Sequence, residues 1–178
     1  MVVYRLDNLP ETADKFVFDT NVLLFLHGFF YRDRKITECY AKIANYIITN
    51  NSTVYIDIVA LSEFINRYIS DALPNKLGQD GKDFRFKKRE HRNTDEYKEV
   101  IGDLRVVLKQ ITDAYNVHFV YDGYNDFDIG HALFSLNIME FNDYLISLVA
   151  KKYHAYLVTH DRDIVDSCKD IAIVTALT

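Results

Sequence analysis

The clearest signal of the fold in this sequence is the segment Phe16-Val17-Phe18-Asp19-Thr20-Asn21-Val22-Leu23-Leu24. Three apolar residues in succession predict a strand that is buried on both faces, because a half-exposed strand would alternate apolar and polar residues. An acid follows directly, and the next apolar run predicts a helix that packs back onto the sheet. We therefore expect Asp19 at the carboxyl end of a parallel strand, the edge at which open α/β sheets bind ligands.

Further apolar runs predict the other strands of this sheet, at residues 54–56, 118–121, 155–158 and 171–174. Amphipathic helices are predicted between them, at residues 36–48, 61–69, 95–115 and 143–153. This alternation predicts an α/β three-layer sandwich, with a central parallel sheet of about five strands flanked by helices, in one domain spanning residues 1–178. Residues 74–93 lack a clear period and are expected to form a basic loop insertion.

The composition is that of an ordinary soluble globular protein. The chain has 178 residues, of which 49% are hydrophobic and 26% charged, with a net charge of −5. No apolar run approaches the ~20 residues that cross a bilayer, and the first residues lack the pattern of a signal peptide. Cys39 and Cys168 have no partner spacing and are expected to be reduced thiols. We therefore expect a cytoplasmic protein without membrane attachment.

Acids occupy positions from which they can converge on one edge of the predicted sheet. Asp19 and Asp161 follow strands, Glu63 lies one helical turn into the helix after the second strand, and Asp143 opens a helix. Hard divalent cations such as Mg²⁺ prefer carboxylate oxygens, and a pair of them can promote phosphodiester cleavage. Residues expected to orient these acids are Thr20, Asn21 and Thr159.

Each acid also has a purely structural interpretation. An acid after a strand commonly caps the following helix, and this is the more frequent role of a single such residue. Asp161 would then cap a helix over residues 162–168. Asp143 would be a first-turn acid, with Asn142 as the N-cap. The convergence of all four acids favours the functional interpretation, provided that the sheet forms as predicted.

Four motifs together resemble the PIN domain family. The first is the Asp-Thr-Asn stretch quoted above, and the others are Ile58-Val59-Ala60-Leu61-Ser62-Glu63-Phe64, Phe141-Asn142-Asp143 and Leu157-Val158-Thr159-His160-Asp161-Arg162-Asp163-Ile164. Each motif is weak alone, but their order and spacing agree with the family over nearly the whole chain. The resemblance implies a PIN-like fold with Mg²⁺- or Mn²⁺-dependent cleavage of RNA.

The resemblance also implies which residues form the site and which partners the protein has. The acids that match the catalytic and metal-binding positions of the family are Asp19, Glu63, Asp143 and Asp161, and Asp163 matches a less constant final acid. Many members are toxins of bacterial toxin–antitoxin pairs, which implies a small antitoxin-like partner, whereas others act in RNA maturation or decay. The chain is longer than the most compact toxin-like members, and both roles remain open.

A basic run follows the second predicted helix. Its cations are Lys82, Arg85, Lys87, Lys88, Arg89 and Arg92, with Phe84 and Phe86 between them. Cations beside aromatic residues are typical of a loop that contacts single-stranded RNA, and a solvated loop anchored by its two phenylalanines is an equal alternative. His160 adjoins Asp161, and we interpret it as a packing residue rather than a base.

Two other functions fit parts of the pattern. A non-catalytic PIN-fold adaptor for RNA or protein would have no need of four mutually repelling acids. A phosphohydrolase with Asp19 as its nucleophile would be expected to carry an acid where Asn21 stands. A homodimer is also expected to be feasible through apolar helices such as residues 22–30.

Overall fold

The computed structural model describes residues 2–5, 8–29, 33–77, 90–121, 124 and 127–177. The strands within these ranges are β1 (Val2–Tyr4), β2 (Lys15–Phe18), β3 (Thr53–Asp57), β4 (Asn116–Val120), β5 (Tyr156–Val158) and β6 (Ala172–Val174). They form one sheet in the order β1-β6-β5-β2-β3-β4. Every pairing is parallel, so all carboxyl ends lie at the same edge.

The helices cover both faces of this sheet. Those of the described residues are α1 (Thr20–His27), α2 (Arg34–Thr49), α3 (Ile58–Lys76), α4 (Asp95–Ala114), α5 (Ile129–Ser135), α6 (Phe141–Tyr153) and α7 (Arg162–Ser167). None of them is long and apolar enough to cross a membrane.

Two hydrophobic cores result from the alternation of side chains along the strands. Phe16 and Phe18 of β2 point into a core that α1, α2, α3 and α4 complete. Val17, between them, lies in a second core with Leu157 and with residues of α6 and α7. Because both faces of β2 are covered, its residues 16–18 are at most 1% exposed. The predicted α/β sandwich with a central parallel sheet is therefore confirmed.

Three features differ from the sequence prediction. β1 is a sixth strand, and its three residues are too few to show a period. Helix α3 continues through Pro74 to Lys76, so the proposed insertion begins later than residue 74. Helix α6 begins at Phe141 with Glu140 as its N-cap, so the prediction of Asn142 as the N-cap is wrong. Residues 78–89 of the basic run lie outside the described residues.

Candidate functional site

The ends of β2 and β5 are neighbours at the point where the strand order reverses. The chain that leaves β2 continues to β3 on one side, whereas the chain that leaves β5 continues to β6 on the other. The two connections diverge and leave a crevice between them, which is the usual ligand site of an open α/β sheet. Asp19 directly follows β2, and its backbone N–H donates to the carbonyl of Val158 at 3.1 Å. Asp19 is therefore fixed at the centre of this edge.

Thr159 joins the two sides of the crevice. Its hydroxyl donates to Oδ2 of Asp19 at 2.8 Å and accepts from the backbone N–H of Asp161 at 2.9 Å. The Thr159 side chain is fully buried, so the hydroxyl is held where both bonds form. The residue therefore sets the orientation of the Asp19 carboxylate and the course of the chain into Asp161.

Glu63 approaches the same edge from α3. The hydroxyl of Thr20, at the start of α1, lies 3.3 Å from Oε2 of Glu63. The side-chain amide of Asn142, at the start of α6, donates to the same oxygen at 3.5 Å. Arg67, one turn further along α3, lies 3.8 Å from Oε1. Glu63 thus contacts the starts of both α1 and α6, two helices that are far apart in the sequence.

The electrostatic environment of Asp19 disfavours its charge. The residue is 5% exposed, and burial raises its pKa from 3.8 to about 6. The negative charges of Asp161 and Glu63 add to this increase, whereas the hydrogen bond from Thr159 lowers the pKa. A carboxylate held away from water beside other carboxylates is a group whose charge a cation would stabilise.

Asp143 lies in the first turn of α6, and its environment also disfavours the charged form of its carboxyl group. Its pKa is raised to about 7, first by burial and then by the charges of Asp161 and Asp19. Its Oδ2 accepts the backbone N–H of Glu140 at 3.2 Å, which closes the start of the helix and lowers the pKa. Asp143 is therefore within electrostatic range of both acids at the crevice and also has a local structural role.

Asp161 caps α7, as its structural interpretation predicted. Its Oδ1 accepts the backbone N–H groups of Asp163 at 2.8 Å and Ile164 at 3.4 Å. The Asp163 side chain is exposed on the first turn of this helix. Capping occupies one oxygen of Asp161, and its charge still raises the pKa values of Asp19 and Asp143.

The donor set fits a hard divalent cation by its chemistry. Carboxylates offer charged oxygen ligands, and the raised pKa values of Asp19 and Asp143 indicate a concentration of negative charge that a cation would offset. Within the described ranges, however, no three acidic, His or Cys side chains form a ready group of metal ligands. Asp19, Asp143 and Asp161 are each held by the local hydrogen bonds given above. Binding of a shared cation would therefore require these side chains to reorient.

Asp57 is a buried acid at this edge that the sequence analysis did not assign to the site. It ends β3, is 1% exposed and stands one strand away from Asp19. Its Oδ1 accepts the Tyr124 hydroxyl at 2.5 Å, and its Oδ2 accepts the backbone N–H of Val59. Burial and the bond to Asp57 raise the pKa of the Tyr124 phenol. The signal in the sequence was the same as for Asp19, an acid directly after an apolar strand.

His160 belongs to an aromatic cluster beside the site. Its Nδ1 lies 3.0 Å from the hydroxyl of Tyr40, which itself donates to the carbonyl of Thr159 at 2.7 Å. The His160 ring also meets Phe25 edge to face, with centroids 5.1 Å apart. Burial lowers the pKa of His160. Tyr40 therefore holds the backbone carbonyl of Thr159 in place, and His160 contacts the same Tyr40 hydroxyl.

The basic run is described only at its end. Lys82, Arg85, Lys87, Lys88 and Arg89 lie outside the described residues. Arg92 is exposed in the turn before α4. Asn21 is half-buried beside Thr20 at the start of α1.

This chain is similar to several solved structures. VapBC2 from Rickettsia felis, whose crystal structure includes a DNA fragment from its promoter, supports the fold: it matches with a TM-score of 0.56 at 14% identity, over 90% of this chain and 98% of that one. A domain of a functionally unknown protein from Methanocaldococcus jannaschii matches with a TM-score of 0.42 at 16% identity, over 93% of both chains. A Pyrobaculum aerophilum protein matches with a TM-score of 0.43 at 18% identity, over 96% of this chain and 90% of that one.

Comparison of sequences identifies the family. No curated protein matches the chain significantly. The profile of the PIN domain family matches residues 16–169, a range that begins within β2, ends after α7 and includes all four acids of the crevice. The predicted family resemblance is thereby confirmed, and the chain belongs to the PIN domain family.

Proposed function

We propose that this PIN-domain chain is a Mg²⁺- or Mn²⁺-dependent endoribonuclease. The proposal rests on the arrangement of acids around the crevice, where Thr159 is hydrogen-bonded to both Asp19 and Asp161, and Asn142 donates to Glu63. Burial and repulsion from neighbouring carboxylates raise the pKa values of Asp19 and Asp143. A fold does not gain stability from such repulsion, and sites of this kind are typically maintained for function. Membership of the PIN domain family supports a nuclease-type activity.

The proposed ligands are Asp19, Glu63, Asp143 and Asp161, with Asp163 as a further candidate. When bound, a divalent cation would stabilise the negative charge that develops on the phosphodiester during cleavage. Thr159 would orient Asp19, and Thr20 would orient Glu63, through the hydrogen bonds described above. We propose the same supporting role for Asn21, which neighbours Thr20 at the start of α1.

The catalytic proposal is tested by cleavage of labelled single-stranded RNA with Mg²⁺, Mn²⁺ or chelator. Asp19→Asn and Asp143→Asn should each abolish cleavage while the protein stays folded. Asp166→Asn changes an exposed acid of α7 and is the matched control, for which activity should be retained. Cleavage by both site variants at the wild-type rate would refute the assignment. RNA binding without cleavage by the wild type would instead indicate an adaptor.

The basic run is proposed to draw RNA toward a negatively charged site. Replacing Lys87, Lys88 and Arg89 with Ala should weaken RNA binding and flatten its salt dependence. Each lost phosphate contact should reduce the slope of log K against log salt by about 0.7 for single strands. Asp19→Asn is included in every variant to prevent cleavage.

The matched control for this test removes three exposed lysines from other parts of the surface, Lys42, Lys109 and Lys169. It changes the net charge equally and should leave the slope close to that of the parent. Equal slopes for the basic-run variant and its parent would show that RNA enters by another face.

A small antitoxin-like partner is part of the proposal. It rests on the toxin members of the family and on the similarity of fold to VapBC2. Expression of this chain with and without the small protein encoded beside it would test the role. Growth arrest that the neighbouring protein relieves is expected of a toxin, whereas no effect on growth would favour a role in RNA maturation or decay.

A further inference from the structure

The hydroxyl of Tyr40 is a buried polar group next to the residues that line the crevice. Tyr40 belongs to α2, and its side chain is 0% exposed. Its ring stacks on that of Phe25, with centroids 5.4 Å apart. A phenylalanine would fill the same space without burying an oxygen, and a buried hydroxyl is costly unless hydrogen bonds replace its contacts with water. The hydrogen bonds of this hydroxyl therefore indicate what Tyr40 contributes beyond packing.

All three hydrogen-bonding positions of this hydroxyl are occupied. It donates its proton to the carbonyl oxygen of Thr159 at 2.7 Å, and it accepts the backbone N–H of Ala176 at 3.3 Å. The third partner is Nδ1 of His160, at 3.0 Å. Because a hydroxyl has only one proton to donate, Nδ1 supplies the proton of this third bond. Burial raises the pKa of the Tyr40 phenol to about 12, so the hydroxyl keeps its own proton at neutral pH.

The bond from Tyr40 completes the polar contacts of Thr159. Thr159 lies just past the end of β5, and its backbone N–H donates to the carbonyl of Val174 in β6 at 3.1 Å. Its hydroxyl donates to Asp19 and accepts from Asp161, as described above. Its carbonyl lies beyond the paired part of the strand, and there it is bonded by Tyr40. Tyr40 thus fixes the backbone from which the Thr159 hydroxyl reaches both acids.

We propose that Tyr40 is a positioning residue of the acid site and acts through Thr159. Its hydroxyl holds the Thr159 backbone, and the Thr159 hydroxyl in turn holds the carboxylate of Asp19 and the backbone that leads into α7. Without the bond from Tyr40, the Thr159 peptide can rotate, and its hydroxyl no longer stays in place. The consequence for Mn²⁺ binding rests on the proposed function, whereas the consequence for the metal-free protein does not.

Two variants of α2 separate positioning from packing. Tyr40→Phe removes the hydroxyl and retains the ring that packs on Phe25, so the variant should fold. Tyr46→Phe is the matched control, because Tyr46 lies on the same helix and its hydroxyl also donates to a backbone carbonyl, that of Pro10 at 3.2 Å. Both variants lose a hydroxyl bond from α2, but only Tyr40→Phe changes the contacts of Thr159.

Amide hydrogen exchange, measured by NMR in chelator, reports the position of the Thr159 hydroxyl without metal. The N–H of Asp161 donates to this hydroxyl, so its exchange is slow only while the hydroxyl stays in place. Its rate is taken relative to that of the buried Leu157 amide in β5, which corrects for changes in global stability. This relative rate should rise about tenfold in Tyr40→Phe and stay near the wild-type value in Tyr46→Phe. Equal rates in the two variants would overturn the proposal.

Calorimetric titration with Mn²⁺ then measures the effect on the site. Tyr40→Phe should weaken the Mn²⁺ affinity of the full chain about tenfold, as loss of an outer contact of a ligand commonly does, whereas Tyr46→Phe should not. The effect should vanish in a Thr159→Val background, where no hydroxyl is left to position. An equal loss in both backgrounds, or an unchanged affinity of Tyr40→Phe, would overturn the proposal. A wild type that does not bind Mn²⁺ would refute the proposed function instead, and the exchange of Asp161 would still decide the role of Tyr40.

Discussion

Asp19→Asn is expected to stabilise the metal-free protein near neutral pH. Asp19 is 5% exposed, and its pKa is raised from 3.8 to about 6, mainly by burial. A shift of roughly two units corresponds to about 3 kcal/mol. The folded chain holds this proton more tightly than the unfolded chain, so stability falls as the pH rises from 3.8 to about 6. Above that range the ionised carboxylate destabilises the fold by the full amount.

Asparagine has the same shape as aspartate and removes this ionisation. Its Oδ1 can still accept the Thr159 hydroxyl, so the packing of the crevice is retained. The variant should therefore gain up to about 3 kcal/mol at pH 7.5. For a chain of this size, 1 kcal/mol changes Tm by about 2–4 °C, so Tm should rise by roughly 6–12 °C.

Thermal melts by circular dichroism, in chelator and across the acid-to-neutral range, measure this effect. The gain should shrink as the pH falls toward 3.8 and disappear below it, where Asp19 is protonated in both states of the wild type. Asp166→Asn, an exposed acid of α7, should change Tm little at any pH. Adding Mn²⁺ should narrow the gap, because a ligand of the native state stabilises the wild type more. A variant less stable than wild type at pH 7.5, or a gain independent of pH, would refute the reasoning.

Three further predictions concern neighbouring groups. Because the pKa of Asp143 is raised to about 7, protons should compete with Mn²⁺ and weaken its binding below pH 7. In calorimetric titrations, the affinity of Asp143→Asn for Mn²⁺ should lack the decrease that protonation of Asp143 causes. Thr159→Val removes the donor to Asp19 and should lower the free energy of unfolding by about 1–3 kcal/mol in urea melts at neutral pH. The loss should be smaller in an Asp19→Asn background, and equal losses in both backgrounds would contradict the assigned bond. Tyr124→Phe removes a hydrogen-bond donor to the buried Asp57 and should also lower the free energy of unfolding by about 1–3 kcal/mol, while RNA cleavage is retained. An unchanged urea midpoint would mean that this bond contributes nothing to stability.

The motifs of the sequence predicted the fold class and the positions of its acids along the elements. Apolar runs such as residues 16–18 are readable because a strand buried on both faces needs apolar side chains at every position. The acids that follow such runs are also recognisable in the sequence, since a charged residue ends the apolar run. The order of these elements then restricted the topology, because parallel strands require helical crossovers.

The side-chain partners of the acids were decided by the tertiary structure. Thr159 and Asp19 are 140 residues apart, and only the pairing of β2 with β5 brings the hydroxyl to the carboxylate. Asn142 faces Glu63 instead of capping α6, because the helix starts two residues earlier than its sequence suggests. Capping and ligand positions use the same residue types, so local sequence does not distinguish them.

Local patterns were therefore sufficient to predict a parallel α/β sheet with acids at its carboxyl edge. They were not sufficient to predict that Asp57 is buried at the same edge, that β1 adds a sixth strand, or that apolar side chains of α5 face solvent. Periodicity along the chain reports which face of an element is apolar. It does not report whether that face is covered by another part of the same chain, because burial depends on contacts between distant segments.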